Sequence, residues 1–161
     1  MNNQTEKTMK IPERLDNKQL IEIIKKQIRL CLIHKHFHSI IFISLRTKRN
    51  IVFEYLDFFC NANWFIKKNI IRVRNNSNEV IVCFKNGSFI RVMPGSHNAR
   101  GYRATNVIID SDITNQEIIH CIIRPIIMPL IIKNPKWMTK LFGIKPYHRK
   151  RFRKTEYRVK I

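Results

Sequence analysis

The stretch Ala99-Arg100-Gly101-Tyr102-Arg103-Ala104-Thr105-Asn106-Val107-Ile108-Ile109-Asp110 decides which fold we expect. In it, a polar turn that contains arginines leads into a short apolar run, and the run ends at one carboxylate. This pattern predicts a buried central strand of a parallel sheet, with Asp110 at the carboxyl edge. Ligands of open α/β sheets bind at that edge. A buried strand that ends at a solvated aspartate is the alternative, and Asp110 alone does not separate the two.

The composition predicts one folded domain with a polyanionic partner. The 161 residues include 31 Lys and Arg against 11 Asp and Glu, and 44% of them are hydrophobic. A formal net charge of +20 indicates nucleic acid or an acidic membrane surface, and we favour nucleic acid with no membrane partner. The apolar run 126–132 is too short to span a bilayer. The polar opening Met1–Lys10 does not predict a signal peptide.

Neither the cysteines nor the histidines form a recognisable metal pattern. The four cysteines are far apart in the sequence and include no Cys-x-x-Cys pair, which is typical of reduced thiols in a cytoplasmic protein. His34, His36 and His38 alternate, but no carboxylate or cysteine lies beside them. We therefore favour a solvated helix end over a metal site there.

Apolar periodicity divides the chain into a flexible arm at 1–15, an α/β domain at 16–132 and a basic C-terminal tail at 133–161. Asp16 and Gln19 form a capping-box pattern that predicts a helix up to about His34. A strand at 39–45, a basic loop at 46–50 and a helix at 51–60 are predicted to follow.

Three further strands are predicted at 70–74, 79–84 and 88–93, and Asn86-Gly87 predicts a hairpin between the last two. After Asp110, Thr114 and Glu117 form a second capping-box pattern. It predicts a helix that ends near Arg124, because Pro125 follows.

With these elements in order, the chain resembles the ATPase core of the large terminase subunits of tailed phages, which are P-loop NTPases that package viral DNA. The resemblance covers about residues 39–129 and is most specific from Arg100 to Asp110, which matches the turn and Walker B strand of that family. It implies a largely parallel P-loop NTPase-like sheet with a β-hairpin insertion, flanked by helices. It also implies a phage or prophage protein in the cytoplasm of the host cell.

The family's Walker A loop, Gly-Gly-Arg-x-Gly-Lys-Ser/Thr, would fall on Ser44–Asn50. Such a loop needs glycines to wrap the phosphates, a lysine for the terminal phosphates and a hydroxyl for Mg²⁺. Arg46 matches the family, but Leu45 and Lys48 replace glycines, and we expect the Lys48 side chain to crowd the phosphate space. The residues that replace the lysine and the hydroxyl are Arg49 and Asn50.

The family's catalytic glutamate is replaced by Ser111, and Asp112 lies one residue later. Because phosphoryl transfer depends on positioning and charge stabilisation, these changes predict little or no ATPase activity. The family's coupling-motif strand and nuclease domain are not expected in this chain either. Asp110 and Asp112 are the only catalytic candidates. We expect no cofactor, but Asp110 would hold Mg²⁺ if ATP binds, with nucleotide contacts from Arg46, Lys48, Arg49 and Asn50.

Three functions remain open. The first is a catalytically degenerate, terminase-like protein that binds DNA or a packaging partner, with Asp110 held by Arg46 or Arg100. The second is a working ATP site that uses Arg49 and Asp110 and is completed by another subunit. The third is a basic nucleic-acid-binding module unrelated to terminases.

The basic segment 133–161 contains eleven Lys or Arg and one acid, Glu156. Cations interleaved with Tyr147, Phe152 and Tyr157 are typical of surfaces that neutralise phosphates and stack on bases. A solvated basic tail is the alternative. Since no base-reading motif is present, we expect non-specific binding, with double-stranded DNA as the favoured partner. The candidate nucleic-acid-binding residues are Lys145, Arg149, Lys150, Arg151, Phe152, Arg153, Lys154 and Arg158.

Overall fold

A computed structural model describes residues 10–161, which form an α/β fold around a mixed six-stranded sheet. The α-helices are α1 (Lys18–Ile33), α2 (Lys48–Ala62), α3 (Trp64–Asn69) and α4 (Lys136–Phe142). The strands are β1 (His38–Ile43), β2 (Ile70–Asn75), β3 (Val80–Phe84), β4 (Phe89–Pro94), β5 (Asn106–Asp110), β6 (Leu130–Lys133), β7 (Tyr147–Lys150) and β8 (Glu156–Val159).

The strand order of the main sheet is β2-β3-β4-β1-β5-β8. Strand β1 lies between β4 and β5 and runs parallel to both, and β8 continues the parallel part beyond β5. Strands β2 and β3 extend the other side in antiparallel fashion. Every residue of β5 is buried, which confirms the prediction of an α/β fold with a buried parallel strand ending at Asp110.

Helices α1 and α2 cover one face of the sheet. Asn17 caps α1 by accepting a hydrogen bond from the Leu20 amide at 3.0 Å. The predicted capping residue, Asp16, was therefore one position early. The apolar side of α1 then packs on the sheet, with Leu20, Ile24 and Cys31 fully buried. Of the arm predicted at 1–15, residues 1–9 lie outside the described part of the chain, whereas Leu15 is buried in this core.

The predicted hairpin at Asn86-Gly87 is confirmed between β3 and β4. Gly87 has a φ of +83°, and a Cβ atom there would lie 2.5 Å from His36 Nδ1. The positive φ therefore favours glycine at this turn, and a larger residue would also have to displace the exposed His36 ring.

The opposite face of the sheet is covered by a π-helical segment, Ile118–Ile123, and a 3₁₀ turn, Arg124–Ile126, rather than by the regular α-helix predicted there. The side chain of Asn115, not Thr114, accepts the amides of Glu117 and Ile118. Pro125 lies in the 3₁₀ turn, as expected for a residue that cannot continue a helix.

The prediction of a separate basic tail at 133–161 is not confirmed. Strand β7 pairs with β6 in a small two-stranded sheet, and β8 joins the main sheet beside β5. Tyr157 and Val159 of β8 are buried in the core beneath α1. The end of the basic segment therefore belongs to the folded domain. None of the helices within residues 10–161 has the length and apolar character to cross a bilayer.

Candidate functional site

The candidate site lies where β1 and β5 end side by side. The two strands pair in parallel, with Ile40 opposite Val107 and Phe42 opposite Ile109. This register brings Ser44, the first residue after β1, next to Asp110, the last residue of β5. The residues are 66 positions apart in the sequence, yet the Ser44 amide donates to Asp110 Oδ2 at 3.0 Å.

The Asp110 carboxylate is fully buried and is surrounded by donors. Oδ2 also accepts from the Ser44 hydroxyl at 2.5 Å and from Lys48 Nζ at 2.8 Å. Oδ1 accepts from the Asp112 amide at 3.2 Å. Burial by itself raises the pKa of Asp110, but the Lys48 ammonium and the Ser44 hydroxyl and amide outweigh it and hold this pKa below its ordinary value. Asp110 is thus an ionised, internally satisfied carboxylate.

Lys48, the first residue of α2, bridges two carboxylates. Its ammonium lies 2.8 Å from Asp110 Oδ2 and 2.5 Å from Asp112 Oδ2, and its side chain is only 12% exposed. Desolvation lowers the pKa of Lys48, but the hydrogen bonds to Asp110 and Asp112 prevail and raise it. The lysine therefore stays charged, and its single positive charge offsets one of the two negative charges at the end of β5.

The turn between β1 and α2 is closed by internal hydrogen bonds and is not a phosphate-wrapping loop. The Lys48 amide donates to the Leu45 carbonyl at 3.0 Å, and the Arg49 amide donates to the Arg46 carbonyl at 3.1 Å. Both amides are thus satisfied within the turn, whereas a phosphate loop leaves such amides free for the ligand. The residues present do not fit a triphosphate in this conformation.

The structure disperses the other predicted nucleotide contacts. Arg49 donates from Nη1 to the Asn76 carbonyl and from Nη2 to the Asn50 side chain, which ties it to the turn between β2 and β3. Arg46 and Asn50 are exposed. Of the predicted set, Arg49 meets Asn50, and Lys48 meets Asp110 directly instead of facing a phosphate.

Sequence reasoning missed one residue of the site and misassigned a partner. The Ser44 hydroxyl is a direct donor to Asp110, and its signal was the serine that immediately follows the apolar strand. The expected cation beside Asp110 was Arg46 or Arg100, but Lys48 takes that position. Ser111 donates its amide to the Val159 carbonyl of β8 at 2.8 Å.

The described residues contain no group of three or more His, Cys, Asp or Glu that could hold a metal ion. Asp110 and Asp112 are joined by the Lys48 ammonium, which occupies the space between the two carboxylates that a cation would need. His34 lies edge-on to Phe152, and His38 stacks on Phe89, so these imidazoles are packed against aromatic rings.

The predicted nucleic-acid contacts lie mainly on the surface. Phe152 is an exception, because its ring packs edge-on against the buried Phe37 at 5.4 Å between centroids. Tyr157, considered for base stacking, is also buried. Tyr147 keeps an exposed ring. The exposed cations of the set are Lys145, Arg149, Arg151, Arg153, Lys154 and Arg158, and Lys150 is half-buried.

The basic segment also borders a cleft of about 370 Å³, whose wall includes Thr105, Pro129, Lys150 and Arg151. Thr105 immediately precedes β5, so the cleft lies at the amino end of that strand, whereas Asp110 lies at its carboxyl end. The cationic cleft and the Lys48 bridge are therefore at opposite ends of the sheet.

Comparisons of the chain with protein-family models, curated proteins and solved structures find no match.

Proposed function

We propose that this chain is a terminase-like protein related to viral DNA packaging, which has lost phosphoryl transfer and binds nucleic acid non-specifically. The proposal of a terminase-like protein that has lost phosphoryl transfer is supported by one observation, the Lys48 bridge between Asp110 and Asp112. The resemblance implies a strand, a turn and a helix beside the carboxylate that ends the neighbouring parallel strand; β1, its turn and α2 follow that order, and Lys48, at a glycine position of the family, lies over Asp110. The lysine neutralises that carboxylate instead of a phosphate.

The same geometry argues against a working ATP site, the runner-up function. The turn amides are satisfied internally, Arg49 is tied to Asn76, and Ser111 offers no carboxylate for the attacking water. Catalysis of phosphoryl transfer needs each of these parts in position. Calorimetric titration with Mg-ATP up to millimolar concentration is expected to give no saturable heat. Saturable binding that disappears in both Asp110→Ala and Arg49→Ala would instead establish the active site.

Nucleic-acid binding is supported by charge and by its distribution. The chain carries a net charge of +20, and residues 133–155 contain no acidic residue. The cations of this segment are mostly exposed, and two of them, Lys150 and Arg151, line the cleft at the amino end of β5. Lysine and arginine side chains that neutralise phosphates release counterions and give strong, salt-dependent affinity without sequence preference.

The test is DNA binding by fluorescence anisotropy at several salt concentrations. A variant with Arg149, Arg151 and Arg153 changed to Gln removes three exposed cations. Each lost phosphate contact lowers the slope of log K against log salt by about 0.9, so a decrease of roughly two to three is expected.

The matched control changes Lys67 of α3 and Arg72 and Arg74 of the far edge strand β2 to Gln, which removes the same charge elsewhere on the molecule. We expect its slope to stay close to that of the unmodified protein. Equal slopes for both variants would mean that net charge, not this surface, drives binding. No binding of the unmodified protein at low salt would refute the proposed function.

A further inference from the structure

Strand β2 is an open edge of the main sheet. It is the terminal strand on its side, and five of its six residues are exposed. Ile71 and Val73 are 63% and 49% exposed, and the register with β3 shifts between Ile70 and Arg72, so the regular part of the edge runs from Arg72 to Asn75. Edge strands with exposed apolar residues are templates for pairing with another strand.

An apolar groove runs beside this edge on the helix-covered face. Its volume is about 260 Å³, and its walls come from α2 and β2, including Phe53, Leu56, Ile71 and Val73. Val73 lies opposite the buried Val82 of β3, so its side chain points to the same face as the groove. A strand added beside β2 would place every second side chain over this groove.

The register also shows which backbone groups of β2 are free. The Asn76 amide donates to the Glu79 carbonyl, and the pairing continues with Arg74 opposite Ile81. Because bonded and non-bonded pairs alternate in antiparallel ladders, the amide and carbonyl of Arg74 face β3. Those of Val73 and Asn75 face outward and can bond to an added strand.

The other face of this edge is cationic. Arg72 and Arg74 lie opposite Cys83 and Ile81, on the other face of the strand from Val73, although Arg72 also borders the groove. Both are exposed, and neither forms an ion pair within the described residues. An added strand would meet apolar surface at one set of alternate positions and arginines at the other.

We propose that β2 binds an extended segment of another protein, antiparallel to it, in which apolar residues alternate with Asp or Glu. The apolar residues cover the groove, and the acidic residues lie opposite Arg72 and Arg74. A second copy of this chain fits less well. If two β2 strands paired antiparallel with their grooves on the same face, Arg72 of one copy would lie opposite Arg74 of the other. Like charges directly opposite are destabilising. This surface is distinct from the basic cleft and does not depend on the proposed nucleic-acid binding.

The experiment measures anisotropy of a fluorescein-labelled peptide, Val-Glu-Ile-Glu-Val-Glu, which matches the length of β2. The control peptide, Glu-Glu-Glu-Val-Val-Ile, has the same composition and charge without alternation. We expect the control to bind about tenfold more weakly. Equal affinities would show that the protein attracts only negative charge and would overturn the proposal.

Methylation of peptide amides tests the strand pairing without altering the protein. The apolar residues of the bound peptide direct their N–H groups to β2, and the acidic residues direct theirs away. Methylating the amides of the apolar residues should abolish binding, whereas methylating those of the acidic residues should leave it within about threefold. The opposite pattern, or no difference, would overturn the pairing.

Two variants locate the site. Changing Ile71 and Val73 to Ser should remove the preference for the alternating peptide, while circular dichroism verifies that the fold is retained. The triple variant at Arg149, Arg151 and Arg153 should bind the peptide as the unmodified protein does. If the Ile71 and Val73 variant still preferred the alternating peptide, the proposed partner would be refuted. It would also be refuted if sedimentation equilibrium showed that the unmodified chain dimerises and that the Ile71 and Val73 variant does not.

Discussion

Removing the Lys48 ammonium should destabilise the fold strongly and in a pH-dependent manner. In Lys48→Met, the methylene chain is largely kept, but the fully buried Asp110 loses its only cationic partner within hydrogen-bond distance among the described residues. Breaking one half of a buried ion pair destabilises a protein by about 3–5 kcal/mol. Because the Ser44 and Asp112 donors remain, we expect the lower end, about 3 kcal/mol. At this chain length, the Tm should fall by roughly 6–12 °C.

The pH dependence follows from the position of the Asp110 pKa. In the unmodified protein this pKa lies below its ordinary value, so ionised Asp110 stabilises the fold above about pH 4 and the contribution is lost as pH falls through the folded pKa. Without Lys48, burial raises this pKa, and Asp110 takes up a proton on folding as pH falls. The stability difference between the two proteins should therefore shrink from pH 7 to pH 4.

Urea unfolding followed by circular dichroism at both pH values measures this difference. Arg46→Met, in the same turn but exposed, is the matched control and should change stability by less than about 0.5 kcal/mol. Adding Asp110→Asn to Lys48→Met should recover much of the loss, since no unpaired charge stays buried. A Lys48→Met protein as stable as the unmodified one, or a loss that is the same at pH 4 and pH 7, would refute the structural role of the bridge.

Two other predictions concern a turn and the thiols. Gly87→Ala and Gly101→Ala both introduce a side chain at positive φ, but only Gly87 also meets His36, whereas the space around Gly101 is open. Gly87→Ala should therefore lower the free energy of unfolding by about 1–3 kcal/mol more than Gly101→Ala, and equal losses would argue against the clash. Burial raises the pKa of the Cys60 thiol to about 12, so native protein at pH 8 should react with a thiol reagent rapidly at exposed Cys121 and very slowly at Cys60. Mass spectrometry of the labelled peptides would contradict this if both cysteines were modified at the same rate.

Local sequence signals were sufficient for the elements that depend on neighbouring residues. The turn at Asn86-Gly87 is specified by its own dihedral preferences, and the uncharged run before Asp110 is specified by burial on both faces. The helix caps were predicted one residue away from Asn17 and Asn115, because Asp, Asn and Thr all satisfy the same end amides. Where residues that can cap a helix are adjacent in the sequence, packing determines which of them becomes the cap.

Contacts between distant segments could not be derived in this way. Residues 156–159 form a short strand with a single acid, and nothing local indicates that they pair with β5. The partner of Asp110 likewise depends on β1 and β5 being adjacent, which brings Lys48 rather than Arg46 or Arg100 to the carboxylate. The sequence singled out Asp110 and Lys48 as candidate nucleotide contacts, but it did not predict the bond between them.

The order of the strands also determines how the chain can fold. The two neighbours of β1 in the sheet are β4 and β5. Helices α2 and α3 and the β2–β3 hairpin lie between β1 and β4 in the sequence, and β5 is farther still from β1. Helix α1 and the β3–β4 hairpin can form from local contacts, whereas the centre of the sheet requires closure of long loops. Folding is therefore expected to be limited by the docking of β5 onto β1. Because the Lys48 bridge to Asp110 can close only once β5 has docked on β1, it should change the folding rate little and should mainly slow unfolding.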